Sequence, residues 1–173
     1  MKETRTPWLD NYGDVPAHLK YSSGSLFDLV KETAEKYPDY VAYDFMGDPT
    51  TYSQLIKGIE ECAKALKAYG MREGDKVTIC MPNCPQAIMM FYAINLVGGI
   101  ANMIHPLSGE KEIEFYLNDS ESLFAITLDQ FYGKFEAIRK NVKVETLIIA
   151  RIYDALPSRL KFGYAITQGR KIP

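Results

Sequence analysis

Residues 74–106 read GDKVTICMPNCPQAIMMFYAINLVGGIANMIHP. The turn Gly74-Asp75 precedes a short β-branched run, Val77-Thr78-Ile79, which has the character of a buried strand. Asn83-Cys84-Pro85 is a helix start, with proline in the first turn where an N–H has no partner to lose. From Ile88 to Val97 the chain is apolar on nearly every side, which predicts a buried helix rather than an amphipathic one. Gly98-Gly99 ends that helix, and Ile100–Ile104 reads as the next strand. Strand, helix and strand with short connections predict a βαβ unit in a parallel sheet, with further layers on both faces.

Working outward, Leu123–Thr127 and Thr146–Ile149 are two more apolar strands, so strands recur near 77, 100, 123 and 146 at a pitch of about 23 residues. This is βα alternation, with no repeated sequence behind it. Glu110–Leu117 predicts a short helix presenting Ile113, Tyr116 and Leu117, and Asp129 caps a helix carrying Phe131, Phe135 and Ile138. Before residue 74, Ser25 caps a helix stopped by Pro38. Val41–Phe45 and Thr50–Tyr52 form a β-hairpin around Met46-Gly47-Asp48-Pro49. Thr51 with Gln54 makes a capping box for a helix to Tyr69, whose buried stripe is Leu55, Ile59, Cys62 and Leu66 and whose C-cap is Gly70. The expected class is α/β, a mainly parallel layered sheet of βα units with a small N-terminal β-hairpin. Residues 1–23 are expected to be an irregular arm packing Trp8, Tyr12 and Tyr21 onto the domain, 24–150 an α/β unit, and 151–173 a basic connector with one helix around Leu160, Phe162 and Tyr164.

The 173 residues suffice for one sizeable core, and 47% hydrophobic with 24% charged residues excludes a disordered or collagen-like chain. A net charge of −2 provides no field for nucleic acid or an anionic membrane. The charge is uneven: from Arg151 onward five cations face only Asp154, giving +4 and leaving −6 for residues 1–150. MKETRTPW is no signal peptide, and the longest apolar run, Ala87–Ala101, is too short for a membrane span, so a cytoplasmic protein is expected. Three cysteines, Cys62, Cys80 and Cys84, fit buried free thiols in a reducing compartment.

A layered parallel sheet raises the question of nucleotides, whose phosphates sit on glycine-rich turns at helix N-termini. The corresponding loop, Met81-Pro82-Asn83-Cys84-Pro85, has no glycine and two prolines that remove donors, and neither G-x-G-x-x-G nor G-x-x-x-x-G-K-[ST] occurs. This argues against a Rossmann dehydrogenase or a P-loop enzyme. Neither histidine, His18 or His105, stands at ligand spacing to Cys80 and Cys84. His105, followed by Pro106-Leu107-Ser108-Gly109, lies at a strand end where active-site groups gather; Cys84 or Ser108 is its conceivable nucleophile partner.

Tyr40-Val-Ala-Tyr, Thr51-Tyr52-Ser53-Gln54-Leu55, Gly70 through Gly74-Asp75-Lys76-Val77, Pro82-Asn83 and Ile94-Asn-Leu-Val-Gly-Gly-Ile-Ala-Asn together resemble the N-terminal part of adenylate-forming enzymes. Within that group the chain is most similar to AMP-forming acyl-CoA synthetases, over roughly Gly24–Ala150. For a full-length relative the resemblance implies ATP, Mg2+ and CoA, with a carboxylic acid, a fatty acid by overall likeness, converted to an acyl-adenylate and then to acyl-CoA. The family's phosphate loop, adenine and ribose contacts and C-terminal hinge domain lie beyond the matched stretch. The chain is therefore expected to be a catalytically silent N-terminal fragment, with no catalytic, cofactor-binding or metal residue and no bound cofactor. Thr167-Gln-Gly-Arg-Lys171 superficially resembles the surround of the family's C-terminal lysine and is read as connector. His105 stands where many members have Asn before Pro. Two other readings compete: a stand-alone α/β interaction module without catalysis, and a small hydrolase or thiol enzyme using His105. Tyr153, Leu156, Phe162, Tyr164 and Ile166 are apolar near the C-terminus and suggest a homodimer through that surface.

Overall fold

The computed structural model describes residues 6–167. Strands β1 (Val41–Phe45) and β2 (Asp48–Thr51) form an antiparallel hairpin; β3 (Lys76–Cys80), β4 (Ile100–Met103), β5 (Phe124–Leu128) and β6 (Thr146–Ala150) form a parallel sheet in the order β4-β3-β5-β6. Val77 lies opposite Ala101 on one side and Phe124 on the other, and Phe124 opposite Thr146. Helix α1 (Leu26–Lys36) precedes the hairpin, α2 (Tyr52–Ala68), α3 (Pro85–Val97), α4 (Glu110–Asp119) and α5 (Tyr132–Ile138) connect successive strands, and α6 (Ile152–Ala155) and α7 (Ser158–Thr167) follow β6.

Alternation along each strand sorts the core into two layers. Val77, Ile79, Phe124, Ile126 and Leu128 pack with Leu55, Ile59 and Leu66 of α2 and Ala93, Ile94 and Val97 of α3. Cys80 and Ala125, on the other face, pack with Ile113 and Leu117 of α4 and Phe135 and Ile138 of α5. The second face also carries hydroxyls: Thr78 and Ser122 are fully buried and bonded at 2.7 Å, with Asn102 donating to Thr78 at 3.0 Å. Buried polar groups survive there because each finds a partner.

The expected parallel sheet and hairpin are present, and α3 is the most deeply packed helix, with Leu96 as its one exposed residue. Its single polar interior residue, Asn95, accepts the Phe27 N–H of α1 at 2.9 Å, satisfying one of the donors a helix start leaves free. Capping boxes open α1 (Ser25 with Asp28) and α2 (Thr51 with Gln54). Gly98 ends α3 at φ 85°, in the left-handed region, and Gly99 lies against Met71, Asp75 and Ile94.

Several expectations are corrected. The hairpin turn is only Met46-Gly47, at φ 56° and 79° as a type I′ turn requires, and Pro49 belongs to β2, which a two-stranded ribbon allows because both strands are edges. The third member of the α2 stripe is Ala63, and Cys62 is half-buried, because a spacing of four keeps pace with 3.6 residues per turn as well as three does. Tyr116 is exposed, whereas Ile113 and Leu117, one turn apart, take the core. Asp129 opens a 3-10 turn, Asp129–Phe131, before α5 begins at Tyr132. Beyond β6 two short helices replace the single one expected, since Pro157 separates them. In the arm, a 3-10 turn at Pro7–Asn11 leaves Trp8 52% and Tyr21 85% exposed, so these rings do not pack onto the domain. Among the described residues the arm's backbone bonds are local, Leu9 to Thr6, Tyr12 to Leu9 and Val15 to Tyr12, and Tyr12 is the most covered of its three rings.

Two alanine substitutions test this packing. A Cβ on Gly99 would meet the Asp75 carbonyl at 3.0 Å and Met71 more closely still, whereas one on Gly133, in α5, meets nothing within 4 Å. Gly99→Ala is expected to destabilise by about 1–3 kcal/mol through overpacking. Gly133→Ala should stabilise by about 0.5–1 kcal/mol through helix entropy. Urea midpoints at constant m-value read both.

Candidate functional site

The strand order places β3 between β4, its successor in the chain, and β5, so the connections leave the C-terminal ends of β3 and β5 toward opposite faces. Ligands of open α/β sheets bind at such a switch point, outside the carboxyl ends of the strands. A cleft of about 760 Å³ lies there. Met81, Pro82 and Asn83 after β3 form one wall, Met103 to Leu107 another, and Gln130 and Phe131 after β5 the third. The lining is mainly apolar, with Asn83, His105 and Gln130 as its polar side chains.

His105 is exposed on the rim, and its Nδ1 accepts the Leu107 N–H at 3.2 Å. That bond leaves Nε2 as the protonated nitrogen of the neutral ring. Cys80 is fully buried and faces the His105 backbone carbonyl, 3.8 Å from its sulfur, not the imidazole. Burial pushes its thiol up to about 11, with nearby Lys134 pulling only slightly the other way. Burial also raises Cys84, the N-cap of α3. Thiols held protonated are poor nucleophiles. At Ser108 the backbone is engaged: its N–H donates to the His105 carbonyl at 3.1 Å, and its carbonyl accepts from Lys134. His18 is exposed in the arm, remote in sequence from every cleft residue. No nucleophile–base pair is therefore assembled from His18, His105, Cys80, Cys84 and Ser108. Among the described residues no three His, Cys, Asp or Glu side chains cluster to hold a metal ion, and no helix is long and apolar enough to cross a membrane. Thr167 closes α7, and the remainder of the Thr167–Lys171 motif lies outside the described residues.

Sequence reasoning missed two polar side chains, one beside the cleft and one away from it. Lys134 of α5 donates to the carbonyls of Pro106 (3.2 Å) and Ser108 (2.7 Å) and lies 5.5 Å from the Phe131 ring centroid. Gln86, in the first turn of α3, donates through Nε2 to the Arg151 carbonyl at 2.9 Å, and its Oε1 is buried without a partner. A lysine on a helix and a glutamine after a proline carry no signal of either role, because both partners are backbone groups brought near by the fold.

The thiol environment generates a pH prediction. An exposed thiol titrates near 9 and Cys80 near 11, so on raising pH the unfolded chain loses this proton first. The stability due to the protonated Cys80 is complete below pH about 9 and lost as pH climbs through about 11. Chemical denaturation between pH 8 and 11 should show a decline that Cys80→Ala makes shallower. At pH 8, Cys80 and Cys84 should alkylate only after unfolding, as peptide mass mapping will register.

The model of the AMP-binding enzyme family matches residues 30–166. A long-chain-fatty-acid–CoA ligase of Bacillus subtilis is 30% identical over 171 residues, 98% of this chain and 30% of the relative. The Salmonella typhimurium ligase of the same description is 32% identical over 158 residues, 86% of this chain and 27% of the relative. Among solved structures, the N-terminal domain of FACL13 from Mycobacterium tuberculosis superposes with a TM-score of 0.70 at 28% identity, covering 80% of this chain and 36% of that one. A long-chain-fatty-acid–CoA ligase from Archaeoglobus fulgidus shares the fold at TM-score 0.71 and 24% identity, covering 76% and 28%. The chain spans less than a third of the length of the curated relatives named here. It belongs to the AMP-binding enzyme family and corresponds to the N-terminal portion of the full-length enzymes.

Proposed function

We propose that residues 24–150 form the N-terminal subdomain of an AMP-forming acid–CoA ligase acting on a long-chain fatty acid, and that the cleft at the ends of β3, β4 and β5 takes part of the acyl chain. The observation that carries this reading is the cleft lining, in which Met81, Met103, Ile104, Leu107 and Phe131 outnumber the three polar side chains. Each methylene removed from water there contributes about 0.8 kcal/mol. The ligase names of the relatives support the substrate class.

ATP and Mg2+ do not fit the residues present. The loop before α3 carries Pro82 and Pro85 in place of glycines, the cleft lining holds no carboxylate for Mg2+, and the nearby Lys134 ammonium is engaged by the Pro106 and Ser108 carbonyls. The adenylation machinery and CoA contacts are accordingly assigned to the remainder of a full-length ligase, and this chain alone to no catalytic, cofactor or metal residue. A cytoplasmic setting follows from the same reading.

Purified chain given Mg-ATP, CoA and palmitate should release no pyrophosphate. Titration with palmitate should shift the amide resonances of Met81, Asn83 and Phe131. Micromolar binding of ATP by calorimetry overturns the division of labour, and unshifted cleft resonances overturn the acyl site.

Self-association through the C-terminal surface is proposed with a correction: Leu156 is buried at 6%, whereas Phe162 and Ile166 are 77% and 58% exposed and Leu160 and Tyr153 are partly so. A two-fold contact between α7 helices covers these side chains. Light scattering should show a dimer that Phe162→Asp makes monomeric; a monomer at all concentrations refutes it.

A further inference from the structure

Among the described residues, Lys134 is the one cation that touches two walls of the cleft. Its ammonium donates to Pro106 and Ser108 in the loop after β4, and lies over Phe131, which lines the cleft from the β5 side. The ion pairs found among the described residues, Lys76–Glu121 and Arg151–Asp154, do not involve it, so its charge is directed to these carbonyls and this ring. The loop needs such a brace. Its other bonds are two short closures onto His105, from Leu107 and Ser108, the weak Cys80 contact with the His105 carbonyl, and those joining Gly109 to Glu112 and Ile113 of α4. None of these ties Pro106 or Ser108 to the β5 side of the cleft, and the intervening Leu107 is 72% exposed.

We propose that Lys134 is a positioning residue. It holds the His105–Ser108 wall at a fixed distance from Phe131 and so pre-forms the cleft for an acyl chain. The inference rests on the acyl-site reading given above. A wall ordered before binding spares the ligand the cost of ordering it, so loss of the brace appears as weaker binding with the fold intact. Arginine can replace it, because a guanidinium also donates to two carbonyls and stacks on an aromatic ring; methionine keeps the stem and loses the donors.

The test compares Lys134→Met and Lys134→Arg with the parent chain, by amide hydrogen exchange and by palmitate titration. In Lys134→Met, exchange at Leu107, Ser108 and Gly109 should quicken at least about tenfold while β3 and β5 keep their protection. Palmitate should bind about tenfold more weakly. Lys134→Arg should restore both. Unchanged loop exchange in Lys134→Met overturns the proposal, and so does an equal loss of protection throughout the sheet, which marks a purely structural lysine. If the parent chain binds no palmitate, the acyl-site reading fails by itself, and loop exchange with its rescue by arginine still decides whether Lys134 sets the wall.

Discussion

Everything in this domain depends on β3 being dry from Val77 to Cys80. Val77, Thr78, Ile79 and Cys80 are each fully buried, with a parallel neighbour on either edge and a helical layer on either face. A strand in that position can satisfy its backbone only through both ladders, so β4 and β5 must be present and in register before it is stable. The helices are then fixed by the side-chain alternation: α2 and α3 cover Val77 and Ile79, and α4 and α5 cover Cys80. The cleft is a by-product of the same constraint, since the connections from β3 and β5 must part to reach opposite faces.

The two faces are built from different chemistry. The α2–α3 face is a broad hydrocarbon layer, and its energy comes from area removed from water. The α4–α5 face is smaller and interposes hydroxyls: Thr78, Ser120 and Ser122 form a bonded chain, and Thr127 donates to the Cys80 carbonyl at 3.0 Å. Hydroxyl chains favour one geometry, whereas hydrocarbon contacts accept several. Ser120 and Ser122 precede β5, so that chain lies toward the N-terminal end of the sheet, and Thr127 is the hydroxyl nearer the cleft end.

The legible part of the fold was the part governed by period and punctuation. The β3–α3–β4 segment announced itself through a β-branched run, a charge-free helix and paired glycines, and the Ser25 cap and the Thr51–Gln54 capping box followed from residue type at fixed spacing. Where two positions fit a helical stripe equally well, as Cys62 and Ala63 do, only the direction from which α3 approaches decides. The arm's aromatics were misjudged because burial needs an available face as well as an apolar ring. Within the site, His105, Pro82 and Asn83 were placed correctly at a strand end, as the alternation of strands and helices dictates. Lys134 was invisible: its role depends on where two carbonyls of a loop 26 to 28 residues earlier come to rest.

Four ties that hold separate parts of this chain together share one form. Asn95 meets the Phe27 amide, Gln86 the Arg151 carbonyl, Lys134 the carbonyls of Pro106 and Ser108, and Arg159 the carbonyls of Met46 and Gly47. In each, one end is a particular side chain and the other is main chain. Tolerance to substitution is therefore one-sided. Met46 or Phe27 can be replaced without cutting its tie, provided the backbone keeps its path, whereas the side-chain partner cannot. Pairs of this kind leave no reciprocal record, since a change at the main-chain end calls for no compensating change at the other. Correlated variation among homologues would thus trace the hydrocarbon core of this domain and pass over the bonds that set its loops.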